Sequence, residues 1–262
     1  MTVSRPFAEQ NIRPLPVQDT LPTMYDLPSE DPEEPGLPDE FHDLQPQLLS
    51  QTLRLTDVAR DRIFTGTDLN LYYDANHTLW HKRPDWFLAI GVPRLYDGWD
   101  LRLSYVIWQE GVSPTVVVEL LSPGTEKEDL GQTEAGAGEP PTKWMVYEQI
   151  LKVPYYILYD RYTNKLRGFR LSNGRYKAIP VKNEQIEISA LKLRLGLWEG
   201  EYDGISRKWL RWTDVEGNWI RTDYEVAEHN RVIAEQGQRV AEEKAERLAE
   251  RLRSLGIDPD EI

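Results

Sequence analysis

The chain has no cysteine among its 262 residues. That excludes a disulfide framework, thiolate zinc sites and a cysteine nucleophile, so any metal must be held by oxygen or imidazole ligands. A run of about 18 apolar residues, which a membrane-crossing helix needs, is missing as well. The opening MTVSRPFAEQNIRP also lacks the apolar stretch of a secretory signal. A soluble, cytoplasmic protein with no membrane contact is expected. Positive charge is in short supply: Lys and Arg total 31 against 44 Asp and Glu, a net charge of −13. Nucleic-acid partners usually leave a basic footprint, so the total speaks against one. The deficit is uneven, however. Residues 1–50 hold ten acids and two bases and so carry −8, which leaves −5 for the remainder and room for local clusters such as Lys82-Arg83 and Arg207-Lys208.

What the chain does have is a pair of acids in unexpected places. KRPDWFLAIG, beginning at Lys82, and SPTVVVELLSPG, beginning at Ser113, each set one carboxylate at or inside an apolar run: Asp85 in the first and Glu119 in the second. Burying an ionised carboxylate alone costs several kcal/mol. These acids must therefore be paired, protonated, exposed at a strand end or bound to a metal.

Around these runs the chain divides into three parts. Residues 1–43 combine eight prolines with many acids, too polar a composition to offset the ordering entropy of a fold, and are expected to form a disordered or loosely docked arm. Between Gln45 and Arg62 the spacing of Leu48, Leu49, Leu53, Leu55, Val58 and Ala59 predicts an amphipathic helix. Strands are expected at LNLYY, DWFLAIG, LSYVIW and TVVVELL, then an acidic, glycine-rich loop, a helix at TKWMVYEQIL, a strand at PYYILYD and further short strands through Trp219. This order predicts an α/β domain over residues 44–222, with a central mixed β-sheet flanked by helices. From Asp223 to residue 262, Ala241, Ala245, Leu248, Leu252 and Leu255 recur in steps of four and three among charged residues. A long charged C-terminal helix is expected, either solvated along its length or paired as a coiled coil in a homo-oligomer.

Two carboxylates from neighbouring strands can hold Mg²⁺ or Mn²⁺, which favour oxygen ligands and retain waters for a phosphodiester substrate. Such a site also wants a cation near the developing negative charge, and Lys143, on the helix after the Glu119 strand, can supply it. The ordered set RPD, VVVELLSPGTEKEDLG and KWMVYEQILKVPYYILYD resembles the Uma-type restriction-endonuclease family, a branch of the PD-(D/E)XK nuclease superfamily, over roughly residues 45 to 222. The resemblance implies a restriction-endonuclease-like fold and metal-dependent hydrolysis of DNA. It matches Asp85 to the PD aspartate and Glu119 to the acid of the second motif. Leu121 stands where the superfamily pattern has its lysine, and Lys143, four residues before Tyr147, is the position that matches the family; Lys127 on the intervening loop is a rival. The implied metal ligands are Asp85, Glu119 and the Leu120 carbonyl. Asp129 has no settled role, and none of Gln47, Gln51 and Asp57 is singled out on the first helix.

Plainer readings stand beside these. Taken singly, Asp85 is a strand-start aspartate and Glu119 a salt-bridged glutamate. His77 and His81 are four apart between two expected strands, about 13 Å along an extended chain, so they cannot share an ion and belong to a surface hairpin. Trp198, Trp209, Trp212 and Trp219, interleaved with Arg207, Lys208 and Arg211, could stack bases, but packing between antiparallel strands accounts for them better. The alternative to a nuclease is a non-catalytic binding or scaffold protein on the same fold, associating through its terminal helix.

Overall fold

One six-stranded sheet, covered on both faces, organises the computed structural model, which describes residues 39–122, 126–133, 135–136, 138–256 and 258. The arm expected over residues 1–43 lies outside the described residues up to residue 38. Its last residues already belong to the first helix, α1 (Glu40–Thr52), capped by the Asp39 carboxylate. The helix is shorter than its apolar spacing predicted. Leu53 turns extended, and Leu55 reaches the core from irregular backbone, so its spacing records burial and not helical period.

The sheet contains β1 (Ile63–Thr67), β4 (Trp86–Ile90), β6 (Val116–Leu120), β7 (Tyr155–Asp160), β8 (Lys165–Ser172) and β9 (Arg175–Ala178) in that spatial order. All neighbours are antiparallel except β6 and β7. Beside it, β2 (Leu71–Tyr72), β3 (His81–Lys82) and β5 (Tyr105–Val106) make a small sheet. Strands β2 and β5 correspond to the longer expected strands LNLYY and LSYVIW and pair over only two residues each, whereas β3 falls in the stretch expected to connect two strands; β5 runs straight into a single turn, α2 (Ile107–Glu110). A third sheet of β10 (Gln185–Ile188), β11 (Leu193–Tyr202) and β12 (Ile205–Thr213) completes the domain.

Side chains alternate across a strand, so the two faces of the large sheet build two cores. Trp86, Leu88, Val116, Val118, Leu120, Ile157 and Tyr159 pack with Phe41, Leu48 and Leu49 of α1 and with Ile186, Leu195, Trp209 and Trp212 of the third sheet. Phe87, Ala89, Val117, Leu121, Tyr156 and Leu158 pack on the other side with Phe64, Tyr105, Val146 and Tyr147. A strand buried on both faces reads as an unbroken apolar run, which is why VVVEL does not alternate. Gly168 opposite Ile157 lets the third sheet approach, since a Cβ there would stand 2.6 Å from Ile186 Cδ1. Gln45 joins α1 to β12 as a strand would: its Nε2 donates to the Leu210 carbonyl at 2.7 Å and its Oε1 accepts from the Leu210 N–H at 2.8 Å. Trp209 and Trp212 are buried in this core, so the tryptophan-rich stretch serves packing there.

Between β6 and β7 the chain forms α3 (Glu126–Asp129), then α4 (Lys143–Met145), which widens into a π-helical turn over Val146–Ile150. The final helix, α5 (Asp223–Ser254), begins at a capping box between Thr222 and Glu225, and the Glu225 carboxylate also receives the buried Arg211. Its 32 residues span about 48 Å and bury nothing, leaving Val226, Ile233, Val240, Leu248 and Leu255 exposed. Either water or a second copy of the helix covers this stripe, and the pairing can be tested. Asp at both Leu248 and Leu252 should then lower the mass measured by light scattering, whereas an unchanged mass would assign any association to the domain. Among the described residues no helix is long and apolar enough to cross a membrane.

Candidate active site

The antiparallel register of β4 and β6 sets Trp86 opposite Val118. Carried one residue outward, it sets Asp85 across from Glu119, on the face of Val117 and Leu158. Both acids lie where β6 ends, at the carboxyl edge of the parallel pair β6–β7. Such edges are where open sheets with parallel strands receive ligands. The Leu120 N–H donates to Asp85 Oδ2 at 2.6 Å, which fixes that carboxylate against the end of β6.

Lys143 reaches the same point from the first position of α4, where the Thr142 hydroxyl accepts the Met145 N–H as a cap. Its Nζ lies 3.1 Å from Glu119 Oε2 and 2.8 Å from Asp129 Oδ1. Tyr147, one turn further along, donates its hydroxyl to Glu119 Oε1 at 2.9 Å. Spacing of four on a helix puts Lys143 and Tyr147 on one face, so they grip the two oxygens of one carboxylate. Glu119 is fully buried and Asp129 is 1% exposed, with Oδ2 of Asp129 making no hydrogen bond among the described residues. Around this centre Glu128 ties two elements together, accepting from Lys82 Nζ at 3.0 Å and from the Lys143 N–H at 3.1 Å.

Glu119 and Asp129 thus share one ammonium, and Asp85 lies close enough for its charge to act on both Lys143 and Glu119. Burial pushes Glu119 well above the usual carboxylate range, and the charges of Asp129 and Asp85 push the same way against the pull of Lys143. Burial raises Asp85 too, opposed by Lys143 and His42. Burial works against the Lys143 ammonium, but Glu119, Asp129 and Asp85 outweigh it and hold its pKa well above the ordinary lysine value. Those neighbouring carboxylates therefore favour the charged form of Lys143.

On the opposite face, α1 contributes His42. Its ring Nε2 lies 3.2 Å from the Leu120 carbonyl and its Nδ1 lies 2.8 Å from Asp39 Oδ1. Burial alone would lower the His42 pKa, but the Asp39 hydrogen bond and the charge of Asp85 raise it to about 9. Asp39, despite its burial, is held down at about 2 by His42 and Arg161. Sequence reasoning passed over this pair and weighed Gln47, Gln51 and Asp57 on the first helix. Gln47 bonds Asp43 on the surface, Gln51 is exposed and Asp57 pairs with Lys192. The spacing Asp39-x-x-His42 ahead of an apolar helical run was the available signal, since a side chain that caps a helix N-terminus faces the residue three further on.

The other singled-out residues separate cleanly. Lys127 is exposed on α3, while Asp129 of the same short helix turns inward and joins the centre. His77 stacks on Trp80 with ring centroids 3.8 Å apart and pairs with Asp74, away from any imidazole partner.

Oxygen donors are what Mg²⁺ or Mn²⁺ requires, and the buried Asp85 and Glu119 carboxylates, facing each other at the end of β6, fit such an ion. The Leu120 carbonyl keeps a second lone pair beside its contact with His42. Among the described residues no three acidic or imidazole side chains stand ready as a cation cage.

Residues 13–202 match the sequence profile of Uma2, described as "Putative restriction endonuclease". No curated protein matches the chain. A similar solved structure is titled a "putative nuclease belonging to DUF820" from Anabaena variabilis; it is 12% identical with a TM-score of 0.42, covering 60% of this chain and 76% of that one. With its profile match spanning 13–202 of 262 residues, the chain belongs to the Uma2 family.

Proposed function

We propose that the chain is a metal-dependent endonuclease that hydrolyses phosphodiester bonds in DNA. One observation carries this reading: Asp85, just ahead of β4, and Glu119, in β6, lie across from each other at the carboxyl edge of a parallel strand pair, where a buried lysine from a helix pairs with Glu119. A structural salt bridge needs one acid and one base. Here Glu119 and Asp129 both pair with one ammonium, and Asp85, on which Lys143 and His42 both act, lies across from Glu119, a carboxylate-rich arrangement that one more positive charge would stabilise.

Asp85, Glu119 and the Leu120 carbonyl are the residues that would hold Mg²⁺ or Mn²⁺. When bound, the ion supplies a more acidic water and neutralises charge on the phosphate. The remaining work falls to the chain. Tyr147 and Lys143 orient the Glu119 carboxylate by holding one oxygen each. Lys143, kept protonated by its neighbours, donates hydrogen bonds to the attacking water or the phosphate oxygens and stabilises the charge that develops there. The Leu120 N–H holds Asp85 in place through β6.

Nicking of supercoiled plasmid in the presence of Mn²⁺, with Glu119→Ala as the control, tests this function. A native chain that cuts neither DNA nor RNA with any divalent ion would transfer the case to a binding or scaffold role, which the net charge of −13 favours. A second measurement isolates the ion. A ligand that binds only the folded state stabilises it by about 2.7 kcal/mol at a hundred times its Kd. Mn²⁺ should accordingly raise the unfolding temperature of the native chain and leave that of Asp85→Asn unmoved. Equal shifts in both proteins would place the ion elsewhere, for instance among the N-terminal acids.

A further inference from the structure

We propose that Arg161, Arg207 and His42 form a subsite for a backbone phosphate of the nucleic-acid substrate, and that Asp39 fills it in the resting chain as an internal competitor. The identity of the substrate rests on the nuclease reading; the subsite rests on the following geometry.

Phe41, the second residue of α1, carries two guanidinium groups on its ring. Arg161 Cζ lies 5.2 Å and Arg207 Cζ 4.4 Å from the ring centroid. Two like charges gathered on one ring repel, and the carboxylate beside them is Asp39, ion-paired with Arg161 and hydrogen-bonded to His42. Asp39 lies close enough for its charge to act on Arg207 as well, and the Nε of Arg207 is buried without a hydrogen bond among the described residues. Burial and the charge of Arg161 both lower the Arg207 pKa, although Tyr159 and Asp39 oppose them.

This cationic pocket adjoins the carboxylate centre. His42 Nε2 meets the Leu120 carbonyl at 3.2 Å, and the N–H of the same residue holds Asp85 at 2.6 Å. Arg161 follows directly on β7, so this cationic cluster lies at the same carboxyl edge as Asp85 and Glu119. Planar guanidinium donors beside an imidazole suit a phosphate with one or more free oxygens. This pocket also answers the question raised by a net charge of −13: local positive charge exists, but in the resting chain a carboxylate covers it.

A plainer role for Asp39 is to cap α1. Asn caps a helix as well as Asp does, so Asp39→Asn removes the charge and keeps the cap. Binding of a short fluorescein-labelled duplex, followed by anisotropy in EDTA over a series of salt concentrations, separates the two roles. Asp39→Asn should bind on the order of tenfold tighter at low salt, with the slope of log K against log salt steeper by about 0.9, the signature of one more phosphate contact. Arg161→Gln should bind more weakly, with the slope shallower by about 0.9, whatever the duplex sequence. Unfolding temperatures of both variants verify that they are folded. A purely structural Asp39 would make the Asn variant bind equally or less well, and that result, or an unchanged Arg161→Gln, overturns the subsite. Because no metal is present, the outcome is independent of cleavage. Plasmid nicking without these binding shifts would sink the subsite and keep the nuclease. The shifts without nicking would keep the subsite and sink the nuclease.

Discussion

Lys143→Met should lose about 3–5 kcal/mol of stability in metal-free solution near neutral pH, the usual cost of removing one partner from a buried ion pair. The reason is specific to this centre. The ammonium sits 3.1 Å from Glu119 and 2.8 Å from Asp129, and its side chain is only 15% exposed. Methionine matches its length and leaves Glu119 and Asp129 without the cation they share, while Asp85 keeps only the charge of His42. Two dependences identify the cause. Glu119 and Asp85 already have folded-state pKa values raised above the ordinary range, and the pull of Lys143 is what restrains them. A carboxylate whose pKa is raised on folding binds more protons in the folded state, so stability falls as pH rises and returns as pH falls. The variant should therefore recover stability between about pH 8 and about pH 5, by more than the native chain does. Mn²⁺, supplying the missing positive charge, should restore part of the loss near neutral pH. Urea unfolding with and without Mn²⁺ at the two pH values measures all of this. A loss below about 1 kcal/mol would mean that the three acids are not held against one another as described.

The chemistry gives the second large effect. Asp85→Ala, Glu119→Ala and Lys143→Gln should each reduce Mn²⁺-dependent cleavage by about a thousandfold or more, the scale seen when a group that stabilises the transition state is removed. The three losses differ in kind. Lys143→Gln should retain the Mn²⁺-induced rise in unfolding temperature, because an ammonium is not a ligand, and Glu119→Ala should lose it. Lys127→Ala should cut at the native rate, since that side chain lies exposed on α3. Inactivity of Lys127→Ala alongside a fully active Lys143→Gln would reverse the assignment of the catalytic lysine.

Much of this was open to sequence reasoning, for a physical reason. A strand buried on both faces must be apolar throughout, so an acid inside VVVEL announces itself, and Asp85 at the head of WFLAI does the same. A long helix without a core face shows its charge and its weak apolar stripe directly, and α5 runs from Asp223 as that pattern predicted. Leu53 to Ala59 show the limit. Their spacing imitated a helix, but only Leu53 and Leu55 pack in or against the core, from irregular backbone, while Ala59 meets solvent.

Tertiary structure alone decided the rest. Only the register of β4 against β6 sets Asp85 beside Glu119, and a slip of one residue would turn both sets of side chains to opposite faces. Only the fold chooses which charged residues of the β6–β7 crossover turn inward. Asp129 and Lys127 share one short helix, yet Asp129 enters the centre and Lys127 meets solvent, because their directions differ by two helical positions. His42 stands 78 residues from the Leu120 carbonyl it touches. A contact across that separation leaves no periodic trace in the chain; it exists because α1 packs its apolar face on the sheet and brings its first turn to the end of β6.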